Sequence, residues 1–328
     1  MARAIGRWAG ACVACCLALG FANAALAQGY PSRQITILLG FPPGGGTDGP
    51  SRLIADKLRA SLGVPVVVDN RPGANQMVAI RALLASAPDG YTLLVGTGSS
   101  LAQNPGLNPN LGYDPLRDFT PVGRFGVSSS AIVVGPSMPV KTLKELIDYV
   151  RAHPGKPTYA SGGVGAAGHL GMELLSRMLG LSMVHVPYRG DGPAIIDVAE
   201  GRVDIMMASF NTLPAFTSRV RMLASTSLTP LSYAADVPTL VQAGMPELAV
   251  LDPYTFFGIV GPARLPPEIV GKLSQALNEA TRSPDVTSFF RERLYTEPVT
   301  ETPAQFRAYI EQQLGKWKPY AGKIVVNP

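Results

Sequence analysis

Residues 35–62 read ITILLGFPPGGGTDGPSRLIADKLRASL and place three kinds of local structure in succession. The run ITILL is apolar and rich in β-branched residues, which is typical of a buried strand. The glycines of FPPGGGTD (residues 41–48) favour a turn, and apolar residues then recur every three or four positions, which predicts a helix over 51–62. A strand that leads directly into a helix is the repeating unit of α/β folds.

The same succession recurs along the chain. Further strands are predicted over residues 66–68, 91–95, 131–134, 183–186, 203–207 and 256–260. Helices are predicted over residues 77–86, 143–152, 170–179, 194–200, 266–281 and 303–314, with one more starting at Ser283-Pro284. Strands that alternate with helices predict parallel sheets covered on both faces, and a chain of this length predicts two domains.

The first 27 residues have the layout of a secretory signal peptide. Arg3 and Arg7 precede an apolar run over residues 9–19, and Ala25-Leu26-Ala27 is a small-x-small cleavage site before Gln28. The apolar run is too short for a stable membrane span. We therefore expect cleavage after Ala27 and export of the mature protein.

Composition excludes several classes of function. The cysteines Cys12, Cys15 and Cys16 all fall in the predicted leader, so the mature chain is expected to have no disulfide, thiol nucleophile or thiolate metal site. The formal net charge is +5, and without Arg3 and Arg7 it is about +3, too small and too scattered to indicate nucleic-acid binding. The three histidines are not at metal-ligand spacing, and we expect no metal and no cofactor.

The FPPGGGTD turn is a candidate anion site. Ligands of open parallel sheets bind at the carboxyl ends of strands, where this turn lies. Its glycines let backbone N–H groups approach a ligand closely, and the start of the next helix favours a negative charge. The alternative interpretation is a plain turn capped by Thr47 or Asp48.

A second glycine loop, ASGGVGAAGH (residues 160–169), contains a literal G-x-G-x-x-G from Gly163 to Gly168, with Asp191 about twenty residues further on. This is the formal dinucleotide-binding pattern. The strand before the loop is short and polar, however, and free dinucleotides are scarce outside the cell. We therefore favour an anion-accepting helix start over a dinucleotide site.

Catalytic patterns are weak. The sequence has no G-x-S-x-G, H-E-x-x-H, Walker or EF-hand motif. The rival to a binding protein is an exported serine hydrolase that uses Ser161 or Ser99, for which His169 is a loose candidate base.

At the residue level the chain resembles the tripartite tricarboxylate transporter receptors, also called Bug receptors, over nearly its whole predicted mature length. The matching segments occur in the family's order: FPPGGGTD (41–48), DNRPGA (69–74), APDGYTLL (87–94), YDPLRDFTPV (113–122), PGKPTYASGG (154–163), HVPYRG (185–190), VDIMM (203–207), VPT (237–239) and FGIVGP (257–262). Each segment alone is weak evidence, but the ordered set is specific.

The resemblance implies an α/β, two-lobed periplasmic binding protein of the type II, Venus-flytrap kind, in which each lobe is a sheet flanked by helices. Lobe one would comprise residues 28–125 and 254–328, and lobe two residues 126–253, with the ligand cleft between them. It also implies a periplasmic monomer that is not an enzyme, that binds a small carboxylate but no nucleic acid, and that delivers its ligand to integral membrane transporter subunits.

In such relatives two glycine-rich loops, one from each lobe, bind the carboxylate between them, partly through ordered water. Carried onto this sequence, the loops supply Gly44, Gly45, Gly46, Thr47, Asp48, Ser161, Gly162, Gly163 and His169. Other positions at strand ends that are expected to line the cleft are Phe41, Gly98, Ser99, Ser129, Ser209 and Asn211.

Two departures from the family pattern bear on the ligand. Relatives usually continue NRPGA with glycines, whereas this chain has Asn75-Gln76, which would either narrow the cleft or cap the next helix. Relatives mostly have a small or hydroxyl residue where this chain has Asp191, which would either cap the next helix or face the cleft. An Asp191 in the cleft would repel a second carboxylate, so we expect a monocarboxylate, with an amino or hydroxyl group, in preference to citrate-like ligands. Arg189 is the nearest basic side chain, and its expected place is the solvated rim.

Overall fold

The structure is a computed structural model that describes residues 29–108, 110–251 and 255–324. The predicted signal peptide and its cleavage site lie outside the described residues. No described helix combines the length and the apolar character that crossing a membrane would require.

Strands and helices alternate, as predicted. Within the described ranges the strands are β1 (Ile35–Leu39), β2 (Val66–Asn70), β3 (Thr92–Thr97), β4 (Phe119–Ser128), β5 (Ser130–Val134), β6 (Thr158–Ser161), β7 (Val184–Pro187), β8 (Ile205–Ser209), β9 (Arg221–Ser225), β10 (Thr255–Pro262) and β11 (Glu297–Pro298). The α-helices are α1 (Asp48–Leu62), α2 (Met77–Leu84), α3 (Asn104–Leu107), α4 (Leu143–Ala152), α5 (Ala167–Leu179), α6 (Asp191–Ala199), α7 (Pro267–Arg282), α8 (Pro284–Arg293) and α9 (Pro303–Trp317).

The strands form two sheets, with the orders β11-β4-β10-β3-β1-β2 and β7-β6-β8-β5-β9. We call the first sheet with its helices lobe one and the second lobe two. The chain leaves lobe one at Ser129, between β4 and β5. It returns to lobe one between the end of β9 and the start of β10.

The prediction of purely parallel sheets is wrong. β1 runs parallel to β2 and β3, and β6 runs parallel to β7 and β8. However, β10 is antiparallel to β3 and β4, and β5 is antiparallel to β8 and β9. The reason is the crossing between lobes: β5 and β10 enter their sheets from the cleft, whereas β1, β3, β6 and β8 end there.

Strand β1 and helix α1 pack together through the apolar residues that the sequence pattern of residues 35–62 predicts. Ile54, Ala55 and Leu58 of α1 are buried in one cluster with Ile35 and the alternate residues of β1 that follow it. Each large apolar side chain buried in this way contributes about 1.5–3 kcal/mol to folding. The turn between them is thereby held at the cleft end of the sheet.

The last described part of the chain, residues 303–324, packs across both lobes. Trp317, the last residue of α9, is 3% exposed and belongs, with Leu107 and Ile324, to the buried cluster formed mainly by lobe-two side chains. Arg177 of α5 donates a hydrogen bond to the backbone oxygen of Lys323 at 2.8 Å. The C-terminal segment is therefore fastened to lobe two although α9 packs on β4 of lobe one.

Candidate functional site

A cavity of about 110 Å³ lies between the lobes, at the ends of their strands. The predicted site residues that line it are Phe41, Gly44, Gly45, Gly46, Thr47, Gly98, Ser99, Asp191, Ser209 and Asn211. Both lobes therefore contribute residues to one cavity.

Three helices point their N-termini at this cavity. Thr47, Ala166 and Gly190, the residues that precede α1, α5 and α6, all line it. The first-turn N–H groups of a helix lack partners within the helix and carry partial positive charge. The described residues that line the cavity include no Lys, Arg or His. Backbone dipoles and hydroxyls are thus the groups that this lining offers to an anion.

Asp48 lies behind the first loop and holds its shape. Its carboxylate accepts hydrogen bonds from the Gly44 N–H at 3.1 Å, from Arg52 Nε at 2.9 Å and from Asn70 Nδ2 at 3.0 Å. Burial opposes ionisation, but these hydrogen bonds outweigh it and lower the pKa of Asp48. Because Gly44 has a φ of +79°, it can turn its N–H back toward Asp48 without strain.

Direct contacts close the lobes over the cavity. Asn211 Nδ2 of lobe two donates to the Gly46 carbonyl oxygen of lobe one at 2.8 Å. A Cβ atom on Gly46 would lie 2.5 Å from Asn211 Oδ1, so this approach requires glycine. Asn104 Nδ2 of lobe one donates to the Gly165 carbonyl oxygen of lobe two at 2.9 Å.

The second glycine loop is held by a stack of histidines. Ser161 is fully buried, and its Oγ lies 2.7 Å from His185 Nε2. His169 Nδ1 accepts a hydrogen bond from the Gly165 N–H at 3.1 Å, and its ring lies 4.2 Å from that of His185, centroid to centroid. Burial lowers the pKa of both histidines to about 4. Ser161 and His169 therefore serve, as neutral groups, to shape the loop that leads into α5.

Three more predicted site residues lie outside the lining of the first cavity. Gly162 and Gly163 line a second cavity of about 830 Å³, beside the first, with the exposed Arg189 on its wall. Ser129 lies at the crossing between the lobes, where its carbonyl oxygen accepts from the Phe210 N–H at 3.0 Å.

The hydrolase alternative has no support in this geometry. Ser161 has a histidine partner, but it is His185 and not the predicted His169, because residues 161 and 185 share one face of the paired strands β6 and β7. The pair is a poor catalyst, since the serine is shielded from solvent and a histidine with a pKa of about 4 is a weak base at neutral pH. Ser99 lines the cavity, but its hydroxyl contacts Gln76 and Thr97 and no histidine among the described residues.

Gln76 lies behind the cavity rather than inside it. Residues 74, 75 and 76 have φ values of 44°, 49° and 71°, a conformation that glycine adopts more readily. The Gln76 side chain is 1% exposed and packs against Gly40, where a Cβ atom would lie 2.5 Å from Gln76 Cβ. Gln76 precedes α2 but makes no side-chain cap bond. Gln76 thus does not cap the helix through its side chain, and together with Asn75 it lines the second cavity between the lobes rather than the first.

Asp191 is the first residue of α6 and is among the residues that line the cavity. The N-cap position belongs to Gly190, which has a φ of +107°. Burial raises the pKa of Asp191 to about 6, although a hydrogen bond from the Gly162 N–H opposes this rise. The cavity therefore contains a carboxylate that a small pH change can neutralise.

The lining residues that sequence reasoning missed include Thr255 and Phe257, at the start of β10. The rule that ligands bind at the carboxyl ends of strands does not find them, because β10 is antiparallel and begins at the cleft. The signal that could have found them is the return of the chain to lobe one just before this strand.

Comparisons with known proteins agree with this architecture. The model of the family described as "Tripartite tricarboxylate transporter family receptor" matches residues 51–325. The chain is 35% identical over 304 residues to protein BugT of Bordetella pertussis, and the match covers 91% of each protein.

Solved structures are also similar. The structure of R. palustris Rpa4515 with adipate has 31% sequence identity and a TM-score of 0.83, and the match covers 90% of this chain and 98% of that one. MatC from Rhodopseudomonas palustris with bound malate has 28% identity and a TM-score of 0.82, with 88% of this chain and 99% of that one covered. The predicted two-lobed fold of a periplasmic binding protein is thereby confirmed, and the chain belongs to the tripartite tricarboxylate transporter receptor family.

Proposed function

We propose that this protein is a periplasmic receptor that closes its lobes over a small carboxylate and delivers it to integral membrane transporter subunits. The observation that carries the proposal is the convergence of three helix N-termini, from both lobes, on a cavity whose described lining holds no cationic side chain. The adipate and malate named with the similar structures are small carboxylates, which supports this ligand class.

The binding energy follows from ordinary hydrogen bonds. Each charge-assisted hydrogen bond to the carboxylate contributes about 1.5–3 kcal/mol. Four or five of them, less the cost of ordering, give about −8 kcal/mol, which corresponds to a micromolar Kd. Because the donors are divided between the lobes, the ligand stabilises the closed form, which is the state that we expect the transporter to recognise.

We propose further that the ligand carries one carboxylate and a second group that donates a hydrogen bond, either ammonium or hydroxyl. The carboxylate of Asp191, one of the residues that line the cavity, supports this as an acceptor for the second group. An ionised Asp191 would repel a second carboxylate, so we expect it to disfavour adipate-like and citrate-like ligands.

The ligand class can be tested with purified protein. Small molecules released on denaturation would be identified by mass spectrometry, and lactate, alanine, malate, adipate and citrate would be compared by thermal shift and calorimetry. We expect saturable binding of a hydroxy or amino monocarboxylate and no turnover of a p-nitrophenyl ester. Ester turnover without saturable carboxylate binding would contradict the receptor and favour a hydrolase.

We also propose export through a cleaved signal peptide and a monomeric mature protein. The small residues Ala25 and Ala27 fit the requirement of a signal peptidase, so N-terminal sequencing of the periplasmic protein should begin at Gln28. Recovery of a chain that begins at Met1, or the absence of the protein from the periplasmic fraction, would contradict this proposal.

A further inference from the structure

Ser99 is the one predicted hydroxyl at the cavity whose hydrogen-bond partners are fixed from behind by a buried amide. Gln76 Nε2 donates to Ser99 Oγ at 2.7 Å and to Thr97 Oγ1 at 3.1 Å. The two hydroxyl oxygens are themselves 2.9 Å apart. All three residues are at least 96% buried, so solvent does not compete for these bonds.

The hydrogen-bond donors and acceptors of Gln76, Thr97 and Ser99 can be assigned one by one. The Gln76 amide nitrogen donates to the two hydroxyl oxygens and cannot accept from them. Ser99 Oγ must therefore accept from Gln76, and its own proton is left for either Thr97 or the cavity. The Thr97 hydroxyl can donate to Gln76 Oε1 at 3.3 Å or to Ser99 Oγ.

An acceptor in the cavity selects one of these arrangements. When a carboxylate oxygen takes the Ser99 proton, Thr97 keeps its own proton on Gln76 Oε1, and every partner in the group stays satisfied. Ser99 then accepts from Gln76 and donates to the ligand, and the accepted bond polarises its O–H and strengthens the donated bond.

We infer that Gln76 is a positioning residue that commits the Ser99 hydroxyl to donate to an acceptor oxygen of the ligand. This inference rests on the proposed function, since it assumes a carboxylate in the cavity. The backbone at residues 74–76 supports it: a glycine at position 76 would relieve the positive φ but would leave Ser99 without its amide partner.

The test is a double-mutant cycle between residues 76 and 99, measured by calorimetry with the member of the carboxylate panel that stabilises the wild type most. In Gln76→Glu the new carboxylate accepts the Ser99 proton and takes it from the ligand, so we expect affinity to fall about ten-fold. In the Ser99→Ala background the same change should lower affinity only about two-fold, because only the effect of the added charge remains. Gln76→Gly, which relieves the backbone, should bind about five-fold more weakly than wild type without a loss of Tm.

The possible results separate this inference from the proposed function. Gln76→Glu with wild-type affinity would overturn the inference, because it would show that Ser99 donates to residue 76. Equal losses with and without Ser99 would overturn it as well, because they would show an effect of charge or structure alone. If no carboxylate of the panel bound to the wild type, the proposed function itself would fail, and this inference with it.

Discussion

Replacement of Gly45 by Asp is expected to weaken carboxylate binding at least about 100-fold and to leave the fold intact. Gly45 lines the cavity, and its backbone φ is not among the positive values. The nearest atom to an added Cβ would be the Pro42 carbonyl oxygen at 3.5 Å, which is an ordinary contact. Two like charges about 4 Å apart near a protein surface repel by about 4 kcal/mol, so 100-fold is a conservative expectation.

The matched control is Gly45→Asn, which has the same shape without the charge. Calorimetry should show a much smaller loss for Asn than for Asp, and thermal unfolding of both ligand-free variants should stay near that of the wild type. Equal affinity for Gly45→Asp and wild type would remove this loop from the binding site. Gly163→Asp, the corresponding change in the other loop, is a poorer test because Gly163 has a φ of +124° and any side chain there is strained.

The second large effect on ligand affinity is expected from Asp191, and it depends on pH. With a pKa of about 6, Asp191 is mostly ionised at pH 7.5 in the ligand-free protein. A ligand whose ammonium or hydroxyl group pairs with the ionised form loses affinity as the pH falls through 6, by about ten-fold between pH 7.5 and pH 5. Asp191→Asn should abolish this pH dependence and weaken an amino or hydroxy acid about 30-fold.

The control for this prediction is Asp197→Asn on the same helix, since Asp197 pairs with Arg202 and does not line the cavity. Its pH profile of binding should match that of the wild type. If a dicarboxylate is instead the ligand, affinity will rise as the pH falls, because protonation removes the repulsion, and our assignment of the ligand class will be wrong. Strong stabilisation by citrate that is unchanged in Asp191→Asn would contradict it equally.

Asp191 is also expected to affect the stability of the ligand-free protein. The pKa of Asp191 is higher in the folded protein than its usual value of 3.8, so folding favours the protonated form. Stability linked to this group is therefore present at low pH and is lost as the pH rises through 6. Thermal unfolding of the ligand-free Asp191→Asn protein at pH 7.5 should accordingly occur a few degrees above that of the wild type.

Local sequence pattern predicted β1 and α4 to the residue, because in these segments the apolar period and the end signals agree. It missed β4, whose sequence FTPVGRFGVS contains Pro121, Gly123 and Gly126. The glycines of this strand fit closely packed neighbours, since a Cβ atom on Gly126 would lie 2.9 Å from the Thr296 side chain. Tertiary packing of this kind leaves no periodic signal in the sequence.

The site was predictable where it follows strand ends and unpredictable where it depends on the partner lobe. The glycines of residues 44–46 could be placed at the cavity because they follow β1 directly. The partner of Ser161 could not, because the sequence does not specify which histidine the pairing of β6 and β7 brings beside it. Thr255 and Phe257 could not be predicted as lining residues for a similar reason, since their position depends on the direction of β10.

The packing of Trp317 across both lobes has a practical consequence. The chain contains two tryptophans, and Trp8 lies in the predicted leader, so the mature protein is expected to emit from Trp317 alone. This indole is buried at the contact between the C-terminal segment and lobe two, so we expect a movement of the lobes to change its surroundings. Intrinsic fluorescence in a stopped-flow instrument would therefore time the opening and closing of the unlabelled receptor, and would separate the rate of ligand capture from the rate of closure.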